Sequence, residues 1–316
     1  MSEGTTVPDA PSSAARWRDL LSAGWRDQLS AANAVVRAVN TATGASWRLD
    51  SRFATGLLDG AWRVRDGTDV AVLKWHAPGS PTPYNPDAPA IAEFLRGAGY
   101  PTPRWLAWGT TPDGVAWSVQ EFADGQPLRQ LDIACADIFL DLVRLERTLT
   151  PPTNLSWNPY MRDHVFGDHE RHRRLGDAGD DLRALLDQAL ELATPYESAN
   201  LHDAEMVHFD LNVSNILVRN GGSVTVVDID GTGRGCAVYD LLSPAINGVL
   251  WGSDPRAVER LVAYGLENYE PGAFVIAAAC LTIELADWYS TTGSAHIEDK
   301  VARHRAWLAD IRSRIR

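Results

Sequence analysis

The run Val207-His208-Phe209-Asp210-Leu211-Asn212-Val213-Ser214-Asn215-Ile216-Leu217-Val218 constrains this chain more than any other feature. It ends in a β-prone segment. After the turn Asn220-Gly221-Gly222 a second such segment, Val224-Thr225-Val226-Val227, leads into Asp228-Ile229-Asp230. Two β-prone runs around a Gly-rich turn predict a hairpin. That hairpin carries Asp228 back toward Asn215, so Asp210, Asn215 and Asp228 converge as oxygen donors at one end of it. Mg²⁺ prefers carboxylates, amide oxygens and water over nitrogen or sulfur. A carboxylate that positions a hydroxyl, beside oxygen ligands that hold Mg²⁺ against phosphates, is what phosphoryl transfer requires.

The surroundings divide into a β-rich part and a helical part. Helical spacing of apolar residues runs over 12–40: Trp17, Leu20, Leu21, Leu29, Val35, Val36 and Val39. Strands are expected at 52–54, 61–65 and 70–74, then at 105–109 and 115–122, with one short helix inserted at 90–98. From about Leu128 the pattern is mainly helical, over 133–149, 182–192, 237–246, 256–269, 273–289 and 297–315. The compact β-rich insert at 207–231 interrupts it. The expected organisation is an N-terminal extension helix at 1–45, a β-rich lobe with one helix at 46–124, and a helical lobe at 125–316.

Composition narrows the function. Of the 316 residues, 29 are basic and 41 acidic, a formal charge of −12. Such a surface repels nucleic-acid phosphates, so DNA and RNA are not expected partners. The three cysteines, Cys135, Cys236 and Cys280, form no CxxC pair, which predicts reduced thiols and no zinc site. The N-terminus lacks the pattern of a signal peptide, and the apolar run at 274–281 is too short for a bilayer, so a soluble, cytoplasmic protein without membrane association is expected.

The pattern His-x-Asp-x-x-x-x-Asn, followed by a hairpin and an Asp, resembles the catalytic segment of the aminoglycoside phosphotransferase and choline kinase group, small-molecule relatives of protein kinases. The resemblance implies a two-lobed, protein-kinase-like α+β fold. It implies transfer of the γ-phosphate of ATP or GTP to a hydroxyl of a small molecule, an antibiotic above all, with Mg²⁺ as cofactor. Carried onto this sequence, Asp210 is the catalytic base and His208 supports its loop. Asn215 binds Mg²⁺, Asp228 bridges the metals, and Asp240, in Tyr239-Asp240-Leu241, is structural. Phe209 stands where these enzymes usually have Gly, which suggests an altered backbone in the catalytic loop.

Other segments fall into the same frame. Lys74 closes the strand-like Val70-Ala71-Val72-Leu73-Lys74 and resembles the lysine that contacts nucleotide phosphates, with Glu93 on the next helix as its pairing acid. Gly56 and Gly60 lie where the family has its phosphate-covering loop. Gln120, Glu121 and Ala123 resemble the hinge that meets the purine, through the Glu121 carbonyl and the Ala123 N–H. For the acceptor, Glu284, Asp287 and Trp288 share a helix face that forms an acidic, aromatic-edged wall, with Asp230 as a further contact. The basic cluster Arg171-His172-Arg173-Arg174 argues against a purely acidic pocket and points to a neutral nucleoside, a macrolide or a peptide antibiotic instead of an aminoglycoside. A metabolic kinase of choline, a sugar or an amino alcohol, and a silent nucleotide-binding pseudokinase, are the alternative readings. ATP versus GTP and the oligomeric state stay open.

Overall fold

The computed structural model describes residues 25–53, 61–78, 84–292 and 296–315. The chain divides into two compact units: Met1–Tyr84 with Pro103–Ala123, and Asn85–Thr102 with Asp124–Arg316. The architecture is α+β, as expected.

The first unit is a five-stranded antiparallel sheet with one helix on it. The strands are β1 (Arg48–Arg52), β2 (Trp62–Asp66), β3 (Asp69–His76), β4 (Trp105–Thr110) and β5 (Ala116–Glu121), in the order β1-β2-β3-β5-β4. The tight connection from β2 to β3 has Gly67 at φ 58, a left-handed conformation open to glycine at no steric cost. Strand β3 shows why the sheet forms. Ala71, Leu73 and Trp75 alternate onto the buried face, and Val72, Lys74 and His76 onto the other.

Helix α1 (Trp25–Thr43) covers that buried face with Ala31, Ala32, Val35, Val36 and Val39, each no more than 6% exposed. They share one core with Trp62, Trp75, Trp117 and Val119. This N-terminal extension helix is therefore the second layer of the sheet. Residues 12–24 of that helical pattern lie outside the described residues. The first strand begins earlier than expected, at Arg48 instead of Arg52. Its sequence Arg-Leu-Asp-Ser-Arg has no apolar alternation because β1 is a half-exposed edge strand with a register shift between Leu49 and Ser51.

The second unit is mainly helical: α2 (Ala88–Gly97), α3 (Ile133–Glu146), α4 (Asn158–Arg162), α5 (His169–Asp177), α6 (Asp180–Ala193), α7 (Val238–Trp251), α8 (Pro255–Asn268), α9 (Pro271–Thr292) and α10 (Ile297–Arg314). Short strands β6 (Gln126–Pro127), β8 (Ile216–Val218) and β9 (Val224–Val226) pair in the order β6-β8-β9, and β7 (Glu205–Val207) pairs with β10 (Gly233–Gly235). Its core is α9, whose residues 273–281 are at most 3% exposed. That helix is long and apolar enough to cross a bilayer, but 78% of the window Pro271–Thr291 is buried by its neighbours.

Helix α2, grouped with the N-terminal sheet by the sequence reading, belongs to this second unit. Polar side chains and backbone explain it. Asn85 donates to Thr153 Oγ1 and the Thr232 carbonyl, and its own N–H donates to the Asp230 carbonyl. At the far end the Val226 N–H donates to the Pro101 carbonyl, and the Tyr100 hydroxyl to Glu146 at 2.7 Å.

Two stability outcomes follow from this packing. Val35→Ala empties a methyl-lined site under the sheet and lowers stability by about 2 kcal/mol in urea unfolding. His304 on α10 is 1% exposed, with neither ring nitrogen hydrogen-bonded, and burial pushes its pKa down to about 3. The unfolded chain takes up that proton below about pH 6.5, while the native chain does so only near the lowered value. Stability therefore falls as pH drops from 6.5 to 5, with a slope approaching about 1.4 kcal/mol per pH unit for this one group. His304→Met abolishes that part of the slope in pH-dependent thermal melts. An unchanged slope removes His304 from the account.

Candidate active site

Strand β7 leads straight into the loop 208–215, and β10 runs antiparallel to β7 with Val207 opposite Gly233. Strands β8 and β9 pair in the expected hairpin, Ile216 opposite Val226. The Val227 N–H donates to the Asn215 carbonyl at 2.9 Å, so the segment before Asp228 is fastened to the end of the loop. Both Asn215 and Asp228 thus come to the same end of the hairpin.

Asp240 sits in the first turn of α7 with no exposed surface. Its carboxylate accepts the backbone N–H groups of His208, at 2.5 Å, and Phe209, at 2.9 Å. Burial pushes its carboxyl up to about 7, and those two donors pull the other way. His208, 1% exposed, places Nε2 3.0 Å from the Val227 carbonyl, while its Nδ1 accepts the Asp210 N–H at 3.3 Å. A carbonyl only accepts, so the ring proton resides on Nε2. The histidine ties the loop to the segment that follows the hairpin strand.

The Asp210 carboxylate is held by two amides. Asn212 Nδ2 donates to Oδ1 at 2.6 Å and Asn215 Nδ2 donates to Oδ2 at 2.9 Å. Asn212 is itself fixed, because its Oδ1 accepts the Ser214 N–H at 2.9 Å. Asp210 keeps accessible surface. The protein around it and then the Asp228 carboxylate push its carboxyl up, against the two amides that hold it down. The Asp228 carboxylate raises the pKa of Asp210, and two such neighbouring carboxylates gain from a cation between them. Among the described residues there is no cluster of three His, Cys, Asp or Glu side chains. The donor set is instead Asp228 with the Asn215 amide oxygen, next to Asp210. This set fits Mg²⁺, which binds through one or two carboxylates, phosphates and water.

Phe209 is the unexpected element. Its φ is 76, a left-handed conformation that glycine adopts freely and a bulky side chain adopts at a cost. The side chain does not push the loop out of that conformation. Its ring lies stacked between Trp157 (centroids 3.6 Å apart, 12° between planes) and Tyr239 (5.0 Å, 2°), with Tyr160 edge-on at 4.9 Å. Trp157 is anchored in turn, its Nε1–H donating to the Gly231 carbonyl at 3.1 Å. Asp228 also has positive φ, 68, so strain brackets the constellation on both sides.

The acceptor-side residues are tied up from within. Glu284 accepts the Tyr160 hydroxyl at 3.0 Å and the Tyr239 hydroxyl at 2.6 Å. Burial pushes its carboxyl up. Asp287 accepts Nε and Nη2 of Arg174 at 2.9 and 2.8 Å, and Arg171 Nε is 3.3 Å away. The expected acidic wall is thus internally compensated, while Trp288 is 42% exposed. Asp230 is only 2% exposed, enclosed in the turn Ile229–Gly231 instead of lining an open face.

In the first unit, Lys74 lies half-buried on the β3 face opposite α1. Gln120 on β5 is 4% exposed and donates to Ser118 Oγ at 3.0 Å. Glu121 ends β5 and Ala123 ends the unit. Glu93 is exposed on α2 in the second unit. Gly56 and Gly60 lie outside the described residues. Sequence reasoning missed Asn212, Tyr239 and the anchoring role of Trp157. The Asp-x-Asn-x-Ser spacing was the available sign of Asn212, as an Asx turn that leaves its amide free to donate back.

The profile of the phosphotransferase enzyme family matches residues 51–275. The chain belongs to the phosphotransferase enzyme family. No curated protein sequence matches it. Among solved structures it resembles a thermostable mutant of aminoglycoside phosphotransferase APH(4)-Ia at 16% identity and TM-score 0.61, covering 87% of this chain and 97% of that one. It also resembles a microcompartment-associated aminopropanol kinase (22%, TM-score 0.57, covering 85% and 90%) and a Plasmodium vivax ethanolamine kinase (14%, TM-score 0.55, covering 85% and 83%). At these identities the likeness is one of fold.

The strain at Phe209 has a measurable signature. Phe209→Ala and Phe209→Gly empty the same aromatic slot, so both lose several kcal/mol by about the same cavity term. Only the glycine variant is relieved of the left-handed backbone. It should be the more stable of the two by about 1 kcal/mol, reversing the usual order of alanine over glycine. Parallel urea titrations decide this, and an alanine variant that is the more stable would refute the strain.

Proposed function

We propose that this phosphotransferase moves the γ-phosphoryl group of ATP or GTP onto a hydroxyl of a small molecule, an antibiotic in the first instance, in the cytoplasm. The observation that carries the reading is the Asp210 carboxylate, open to solvent and oriented by the Asn212 and Asn215 amides, with Asp228 alongside. Asp210 accepts the proton of the attacking hydroxyl and orients its oxygen in line with the transferred phosphorus. Its raised pKa suits a group that must take a proton near neutrality. Asn215, through its amide oxygen, and Asp228 hold Mg²⁺. When bound, Mg²⁺ supplies neutralisation of the phosphate oxygens. Lys74 is assigned to the phosphates and the chain around Glu121 and Ala123 to the purine, on the resemblance alone.

Kinases of amino alcohols share this fold, which supports a second reading in which choline or a related amino alcohol is the acceptor. A silent nucleotide-binding protein is disfavoured, because Lys74, Asp210, Asn215 and Asp228 are all present.

Asp210→Ala tests the assignment. It should retain binding of the Mg²⁺–nucleotide complex and lose at least about 10²-fold in kcat, the effect of removing an acid–base group. Acceptors are found by incubating the purified protein with Mg²⁺, ATP or GTP, and a panel of antibiotics, choline and sugars, then reading a mass gain of about 80 Da, one phosphoryl group in place of a proton. A variant with near-normal kcat on the acceptor so found would remove Asp210 from the base role.

A further inference from the structure

Asp228 sits in a left-handed conformation, φ 68 and ψ 41, just ahead of the turn Ile229–Gly231. A non-glycine residue keeps such a conformation only where its surroundings over-determine it. Upstream, the Val227 N–H donates to the Asn215 carbonyl at 2.9 Å, and the Val226 N–H donates at 2.6 Å to the carbonyl of Pro101, just past the end of α2. Downstream, three consecutive carbonyls are taken. Trp157 Nε1–H donates to that of Gly231 at 3.1 Å. Asn85, just ahead of α2, takes both of its neighbours: its N–H donates to the Asp230 carbonyl at 2.8 Å and its Nδ2 to the Thr232 carbonyl at 2.8 Å. The segment 226–232 is thus fastened at its two ends to the two flanks of one helix, with Asp228 between them.

Asn85 is 1% exposed, and each of its polar groups is used. Its carbonyl accepts the Ala88 N–H and its Oδ1 the Asp87 N–H, both at 2.9 Å. The second Nδ2 hydrogen goes to Thr153 Oγ1 at 3.1 Å, and Thr153 in turn donates to Asp87 Oδ2 at 2.8 Å. A carbonyl only accepts and an N–H only donates, so Thr232 and Asp87 together fix which way the amide faces. The acceptors of Asn85 serve the start of α2. Its donors do not: they are spent on Thr153 and on the chain past Asp228. Thr232 has no exposed surface, so solvent does not replace a donor lost there.

We propose that Asn85 is a positioning residue of the metal site: by bonding the chain on the far side of Asp228, it keeps that residue in the conformation from which its carboxylate binds Mg²⁺. The proposal rests on the phosphotransferase reading, in which Asp228 and Asn215 hold the cation. Groups that orient a metal ligand from behind are worth about 10–100-fold in metal affinity. The main-chain bonds of residue 85 and of Pro101 survive a change of side chain, which places Asn85 at the lower end of that range.

The test is titration with Mn²⁺ in the presence of ADP, read by the electron paramagnetic resonance of the free ion, since Mn²⁺ takes the same oxygen donors as Mg²⁺. It needs neither an acceptor nor turnover. Wild type, Asn85→Ala, Asp228→Ala and the double variant are compared, with Val35→Ala as the control for stability lost elsewhere. Asn85→Ala should bind Mn²⁺ about tenfold more weakly than wild type, while Val35→Ala binds it as wild type does and metal-free ADP binds all variants alike. If Asn85 acts through Asp228, the double variant binds Mn²⁺ no more weakly than Asp228→Ala alone. In turnover, the Mg²⁺ concentration for half-maximal rate should rise about tenfold in Asn85→Ala with the acceptor KM unmoved. A folded Asn85→Ala that binds Mn²⁺ like wild type, while Asp228→Ala shows the loss, overturns the proposal. A double variant that shows both losses in full also overturns it. Thermal melts confirm folding. Should the alanine variant be unfolded, Asn85→Asp, which keeps the shape and the Oδ1 acceptor but lacks the donors, carries the same expectation and the same refutation. Asp228→Ala that binds Mn²⁺ as tightly as wild type removes Asp228 from the metal, and sinks the phosphotransferase reading together with the proposal built on it.

Discussion

One buried carboxylate holds the reactive loop in place. Asp240 accepts the backbone N–H groups of His208 and Phe209, two donors at the point where β7 gives way to the loop. A donor enclosed without a partner costs on the order of 1–3 kcal/mol, and an enclosed charge costs more. Each side therefore satisfies the other: the loop N–H groups favour the carboxylate's charged form against its burial, and the carboxylate keeps the loop in one conformation. His208 extends the arrangement by bonding Val227 on one side and the Asp210 N–H on the other. The position of Asp210 is thus set by main-chain bonds before its carboxylate meets Asn212 and Asn215.

That backbone is strained, and aromatic packing compensates. Phe209 and Asp228 both occupy left-handed conformations, which cost a non-glycine residue of order 1 kcal/mol or more. At Phe209 the flanking Trp157 and Tyr239 return that cost through buried area and ring stacking, each pair worth about 0.5–1.5 kcal/mol beyond burial. A glycine would avoid the strain and leave the slot between those rings vacant. The chain instead accepts backbone strain in return for a packed aromatic stack next to Asp210. Two rings packed on Phe209, Tyr160 and Tyr239, carry the hydroxyls that bind Glu284, so the aromatic stack and Glu284 are one packed object.

Local chemistry was legible in the sequence and long-range compensation was not. The hairpin, its Gly-rich turn and the converging Asp210, Asn215 and Asp228 are encoded within about twenty consecutive residues, where spacing and turn preference act directly. Helices such as α8 and α10 were readable from apolar periodicity. Strand β1 was shifted because an edge strand needs little apolar alternation. Helix α2 was placed in the wrong unit because its membership depends on Asn85, Tyr100 and Pro101 finding partners far along the chain. The role of α1 was hidden for the same reason. Periodicity reveals that a helix has an apolar face, but the identity of the surface it covers is a property of the fold. Glu284, Asp287 and Trp288 share helix α9, yet the partners of the two carboxylates, Tyr160 and Tyr239 for Glu284 and Arg171 and Arg174 for Asp287, come from other helices.

The net charge illustrates the same limit. A formal charge of −12 describes a protein that attracts cations at long range. Within a Debye length of a reacting group, however, the nearest few charges dominate the field, most of all where solvent is partly excluded. Helix α5 places Arg171, Arg173 and Arg174 in a single stretch, and two of these three point their guanidiniums at the acidic edge of α9.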